Sequence, residues 1–122
     1  MRRVLSALAI VAVTLALLGA APGDGTGTTG GSGARSIAVK GWNMSFTPHK
    51  IALRAGEQVT IVLRSVDVLH DFVVQGVGRV VSAKVGKTRR GSLMMAKPGK
   101  YKFWCSVRGH RAAGMVGTIT VR

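Results

Sequence analysis

Acidic side chains are scarce in this chain. Four Asp or Glu stand against 18 Lys or Arg in 122 residues, a formal charge of +14. Such a surface attracts acidic proteins, anionic lipid head groups and polyanions, and it says nothing about fold. Cysteine occurs once, at Cys105, so no disulfide can close within the chain. Phe, Tyr and Trp make up only 5% of the residues. That is too few to stud a basic groove, which argues against nucleic-acid binding in spite of the charge. No helical repeat of useful length follows residue 35, and no internal repeat is found.

The first 21 residues read as an export signal. Arg2 and Arg3 give a positive start, Val4 to Leu18 is apolar apart from Ser6 and Thr14, and Gly19-Ala20-Ala21 offers small residues for cleavage. The rival reading is an uncleaved membrane anchor, since the run lies at the lower edge of what spans a bilayer. No cysteine follows it, which excludes a lipidated one. Residues 22–35 are rich in Gly, Thr and Ser, the composition of a flexible linker. A single domain is expected over residues 36–122, outside the cytoplasmic membrane in a periplasmic or other extracytoplasmic space. It carries 15 Lys or Arg and 3 acids, and a monomer is expected.

From Ser36 onward the apolar residues alternate. Ile37 and Val39, Ile51 and Leu53, and Val59, Ile61 and Leu63 each share a face. So do Phe72 and Val74, Tyr101, Phe103 and Cys105, and Ile119 and Val121. Period two marks strands with one face in a core. Thr47-Pro48, Ala55-Gly56, Gln75-Gly76 and Lys97-Pro98-Gly99 supply turns between them. The class is all-β, a small sandwich. Val80 to Gly91 has sparse apolar residues and the cations Lys84, Lys87, Arg89 and Arg90, and is expected to be an irregular loop. Trp42 and Trp104 are expected to be packing anchors. His49 is expected in solvent, and of Met94 and Met95 at most one can face inward.

Chemistry concentrates in Tyr101 to Val121. Cys105, His110 and Met115 follow one another with four residues in each gap, between two strand-like runs. Thiolate and thioether are soft donors that suit Cu(I), and imidazole also suits Cu(II). A site with all three can hold both oxidation states with little rearrangement. A lone thiol in an oxidising compartment is a liability unless something occupies it, and metal ligation does so. Alone, Cys105 would read as a small buried hydrophobe.

This stretch resembles the ligand loop of the cupredoxins, the single-domain blue copper proteins. Phe103-Trp104-Cys105-Ser106, Gly109-His110 and Gly114-Met115-Val116-Gly117-Thr118 carry the resemblance, which extends over about Ser36 to Arg122. It implies a Greek-key β-sandwich of about seven to eight strands and one copper ion in a type 1 site. It also implies a fourth ligand from an earlier strand end, where Leu69-His70-Asp71-Phe72-Val73-Val74 fits. The implied metal ligands are therefore His70, Cys105, His110 and Met115, with Met115 the long, weak one. Two positions depart from the family. Arg108 stands where many relatives carry proline before the Gly-His pair, which removes a fixed φ and adds a cation. Asp71 stands where asparagine is frequent, and a carboxylate cannot donate the hydrogen bonds of an amide.

The function implied is single-electron transfer between redox partners, without catalysis. Gly109, Ala112, Ala113 and Gly114 around His110 predict a flat docking surface, and Arg108 and Arg111 would steer an acidic partner such as a cytochrome or a copper oxidase or reductase. An anionic membrane surface is a further partner the charge allows. The alternative is copper delivery or storage, although the Met- or His-rich tracts that hand on Cu(I) are missing. A Cys105–His110 nucleophile pair would leave His70 and Met115 without a role. A binuclear copper centre of the terminal-oxidase type would need a second cysteine. Zinc rarely takes thioether.

Overall fold

A computed structural model describes residues 33–122; the export-signal reading and most of the linker fall outside them. Gly33–Arg122 form one unit. The first strand, β1 (Arg35–Trp42), begins at the last residue of the expected linker. The Arg35 guanidinium reaches the Glu57 carboxylate at 2.8 Å, across from the neighbouring strand's start. Eight more strands follow: β2 (Ser45–Thr47), β3 (Lys50–Leu53), β4 (Gln58–Ser65), β5 (His70–Val74), β6 (Gly78–Ala83), β7 (Thr88–Met94), β8 (Gly99–Trp104) and β9 (Val116–Val121).

They form two mixed sheets, ordered β2-β1-β4-β7 and β3-β9-β8-β5-β6. β1 runs parallel to β4, and β3 parallel to β9. The chain passes repeatedly from one sheet to the other, as in the expected Greek-key sandwich. The alternation read from sequence holds: Val59, Ile61 and Leu63 on the central β4 are wholly buried, as are Phe103, Cys105 and Ile119. Each such side chain withdrawn from water contributes about 1.5–3 kcal/mol before entropy is charged against it.

All three phenylalanines pack together between the sheets. Phe72 and Phe103 stack at 4.5 Å between ring centroids, and Phe46 lies 5.8 and 5.2 Å from them. Phe72 is two residues past His70 and Phe103 two before Cys105, so this cluster fixes both strand ends that feed the site. Gly117 on β9 is where Phe103 lies: an added Cβ would sit 2.1 Å from Phe103 Cζ.

The expected loop over Val80–Gly91 is instead most of β6 and the first half of β7, which accounts for the rise to nine strands. Both are edge strands. Each covers little core, and on β7 only Leu93 is fully buried. The cations Arg89 and Arg90 that suggested a loop lie exposed on that edge. Charge on an edge strand discourages pairing with another chain. Trp42 is likewise not an anchor: it is 52% exposed, with Lys40 Nζ 5.7 Å from its ring. It occupies the outward-facing position at the end of β1, where alternation turns it from the core. His49 is exposed as expected, and of the methionine pair only Met95 is buried.

Candidate metal centre

His70 is the first residue of β5, Cys105 follows β8, and Met115 precedes β9. Because β8 pairs with both β5 and β9, these positions meet at one end of the second sheet. The loop from Cys105 to Met115 is folded back on itself by its backbone. Cys105 N donates to Met115 O at 3.1 Å, Met115 N to His110 O at 3.0 Å, and His110 N to Val107 O at 2.9 Å. Gly109 and Gly114 turn the chain at φ of 85° and 103°, a region that other residues enter at a cost.

The result brings one donor atom each from His70, Cys105 and His110 within 4.8 Å of one another. Cys105 Sγ lies 3.5 Å from His110 Nδ1 and 4.0 Å from His70 Nδ1. With metal–sulfur and metal–nitrogen bonds of about 2.3 and 2.0–2.1 Å, two donors on one first-row ion lie ~3.6–3.8 Å apart. The observed separations bracket that range. Met115 is fully buried and tied through its backbone to both Cys105 and His110. Two nitrogens, a thiol and a thioether are the donor types that suit copper in both oxidation states. The residues therefore fit a copper ion.

The remaining polar groups orient these donors. His70 Nε2 lies 2.7 Å from Asp67 Oδ1, so the ring donates there and turns Nδ1 toward the sulfur. Asp67 is itself gripped by the backbone N–H of Asn43 at 2.8 Å and of Val68 at 2.9 Å. Those bonds, Asn43's above all and then His70's, hold its carboxyl down at about 2. Against the adjoining Cδ2–Cγ edge of the His70 ring, Gly41 of β1 leaves no space: an added Cβ would lie 2.8 Å from Cδ2. Burial pushes the Cys105 thiol up, so an incoming metal must displace its proton.

Asp71 replaces the amide without losing the link across the site. Its carboxylate accepts from Ser106 N at 2.6 Å and from Ser106 Oγ, and Arg79 Nε stands 3.2 Å away. Its backbone N–H donates to Cys105 Sγ at 3.4 Å. The side-chain bridge from β5 to the ligand loop thus has its donors on the loop, while the β5 backbone donates to the sulfur. Sequence reasoning missed Asp67 and Gly41. Asp67 had a signal, an acid three residues before a candidate ligand; Gly41 had none, since its neighbour is 29 positions away in sequence.

Residues 7–121 match the cupredoxin-like domain. The chain is 33% identical to plastocyanin from Prochlorothrix hollandica over 125 aligned positions, covering 97% of this chain and 89% of that one. Among solved structures, auracyanin B superposes with a TM-score of 0.67 at 18% identity, over 75% of this chain and 91% of its own. Auracyanin A from Chloroflexus aurantiacus, described as a "blue" copper protein, gives 0.61 at 16% identity over 71% and 98%. These two likenesses concern the fold, while the domain match and the plastocyanin relationship concern descent. With the ligand-loop pattern and the sandwich already in hand, the chain belongs to the cupredoxin-like family.

Proposed function

We propose that this protein is an exported type 1 copper protein that passes single electrons between redox partners, with His70 Nδ1, Cys105 Sγ, His110 Nδ1 and the Met115 thioether as ligands. The observation that carries the reading is the convergence of three buried donors at 3.5–4.0 Å from the thiol to each imidazole. Bound copper supplies a one-electron couple there. The protein's part is to keep the donors from moving. Asp67 and Gly41 hold the His70 ring, the phenylalanine cluster holds both strand ends, and the loop hydrogen bonds hold His110 and Met115. A site that moves little on changing charge spends little energy on each transfer.

His110 gives the electron its way out. The residue is 6% exposed, whereas His70, Cys105 and Met115 are wholly covered. Around it Gly109, Ala112, Ala113 and Gly114 are exposed and small, so a partner can approach closely. Arg108 and Arg111 border that surface and steer an acidic partner, a cytochrome or a copper oxidase or reductase. The domain acts as a monomer on the outer side of the cytoplasmic membrane, its first 21 residues serving as cleaved signal or as anchor.

The test is to add Cu(II) to the purified protein and record its visible and spin-resonance spectra. An intense thiolate-to-copper band is expected, and Cys105→Ser should abolish it. Persistence of that band in the variant would remove Cys105 from the site. Tight Cu(I) binding without a reversible Cu(II) state would instead favour delivery or storage.

A further inference from the structure

Beside the metal end, on the outer face of the second sheet, lies a cleft of about 360 Å³, of whose cations the electron-transfer reading uses only Arg111. The strand register builds it. Lys50 on β3 and Lys102 on β8 both pair with Thr118 on β9, which puts the three in one row. Adjacent strands are about 4.8 Å apart, so the two lysines flank the half-buried Thr118 on the same face. Arg111 closes one end. Its guanidinium lies 4.2 Å from the centroid of the Trp104 ring, one row along, which holds its planar fork in place. His49 closes the other side, its carbonyl accepting from Thr118 N at 2.8 Å.

Three cations and His49 thus line one concave space with no carboxylate among them. Nor is a side-chain carboxylate free elsewhere in the described residues. Glu57 is engaged by Arg35, Asp67 by Asn43, Val68 and His70, and Asp71 by Ser106 and Arg79. Like charges held together without a counter-charge repel one another, and a multivalent oxyanion relieves that repulsion. Lysine point charges, a guanidinium fork and a hydroxyl are the groups that bind phosphate.

We propose that this cleft is a binding site for a phosphate group, held by Lys50, Lys102 and Arg111 with Thr118 and His49 at its floor and rim. The group belongs either to a free phosphate or to a phosphate-bearing head group. The cleft shares Arg111 with the docking surface around His110, but Lys50, Lys102 and Thr118 lie outside the ligand loop, so phosphate binding can be tested with or without copper.

The experiment titrates inorganic phosphate into the full-length protein at constant ionic strength, following amide resonances by NMR. Saturable shifts confined to Lys50, Lys102, Arg111 and Thr118 are expected. Lys50→Gln with Lys102→Gln should weaken binding at least about tenfold, the loss of charge-assisted hydrogen bonds. Lys84→Gln with Lys87→Gln removes the same charge from the far edge and should leave it unchanged. Equal weakening in the two pairs, or shifts spread over the whole basic surface, would overturn the site. Soluble dihexanoylphosphatidic acid serves as the second probe. Displacement of phosphate from these resonances supports a head-group ligand, and failure to displace it supports free phosphate.

Discussion

The two histidines of the candidate metal centre are held differently. His70 sits at the start of a strand, wholly covered, with one ring edge against Gly41 and its outer nitrogen on a carboxylate that two backbone N–H groups hold. His110 sits in a loop of small residues, fastened by backbone bonds and its contact with Cys105 Sγ, with no carboxylate behind its ring and 6% of the residue exposed. An electron carrier needs both arrangements. One side must be rigid so that the geometry survives a change of charge, and the other must come close to a partner. The price of rigidity is that His70 depends on residues far from it in sequence.

That dependence gives the largest expected effect. Asp67→Ala removes the acceptor for His70 Nε2 and leaves the N–H groups of Asn43 and Val68 without their partner. Losing such an orienting group typically costs 10- to 100-fold, or about 1.4–2.7 kcal/mol, in metal affinity. Competition against a chelator should show that loss. Ala113→Ser, on the exposed side of His110, should change affinity less than about twofold, within the usual range for surface substitutions. If the two variants bind copper alike, the contrast between a held and an open histidine is wrong.

Glycines sharpen the same contrast. At Gly41 a Cβ has no room, while at Gly109 it meets nothing within 4 Å and the obstacle is only the positive φ. Gly41→Ala must push the His70 ring or the strand, an overpacking cost of about 1–3 kcal/mol. For a domain this small that lowers Tm by roughly 4–24 °C, and it should move the copper spectrum because the ring moves. Gly109→Ala should cost about 1–2 kcal/mol through its backbone and leave the spectrum where it was. A shifted spectrum in Gly109→Ala with an unshifted one in Gly41→Ala would reverse the assignment of rigid and open sides.

These residues also mark how far the sequence could be read. The central strands were legible because β4, β8 and β9 each turn alternate side chains into one core, so their pattern is local. The Cys105–His110–Met115 spacing was legible for the same reason, being one loop. His70 needed a resemblance, because nothing within its own strand distinguishes a ligand from a buried imidazole. The edge strands β6 and β7 were illegible: each covers little of the core, so the alternation fades and charge takes its place. Trp42 misled because size suggests burial, whereas its parity on β1 turns it outward. The clamp on His70 was out of reach in part, since Gly41 matters only for what another strand brings against it.

The smallest expected effect tests whether clamping by carboxylates is peculiar to the site. Glu57, far along the sandwich, binds Arg35 through two oxygens and accepts from Arg54 N at 2.9 Å. The Arg35 side chain first, then the Arg54 N–H, lower its carboxyl to about 2 from an ordinary 4.5. A depressed folded value means that its contribution is complete above about 4.5 and fades as pH falls toward 2. Asp67 has the same sign over a narrower window, from an ordinary 3.8 down to about 2. Glu57→Gln should therefore make Tm fall slightly less steeply between pH 4.5 and 2, and should do so equally with and without copper. Because the Glu57 pair is exposed and screened, the change should shrink further in high salt. Asp67→Asn should flatten the same acid limb, and there the difference should depend on copper, since that carboxylate positions a ligand and Glu57 does not. Identical copper dependence in the two variants would mean that Asp67 is only another structural anchor, and that His70 owes its orientation to packing against Gly41 alone.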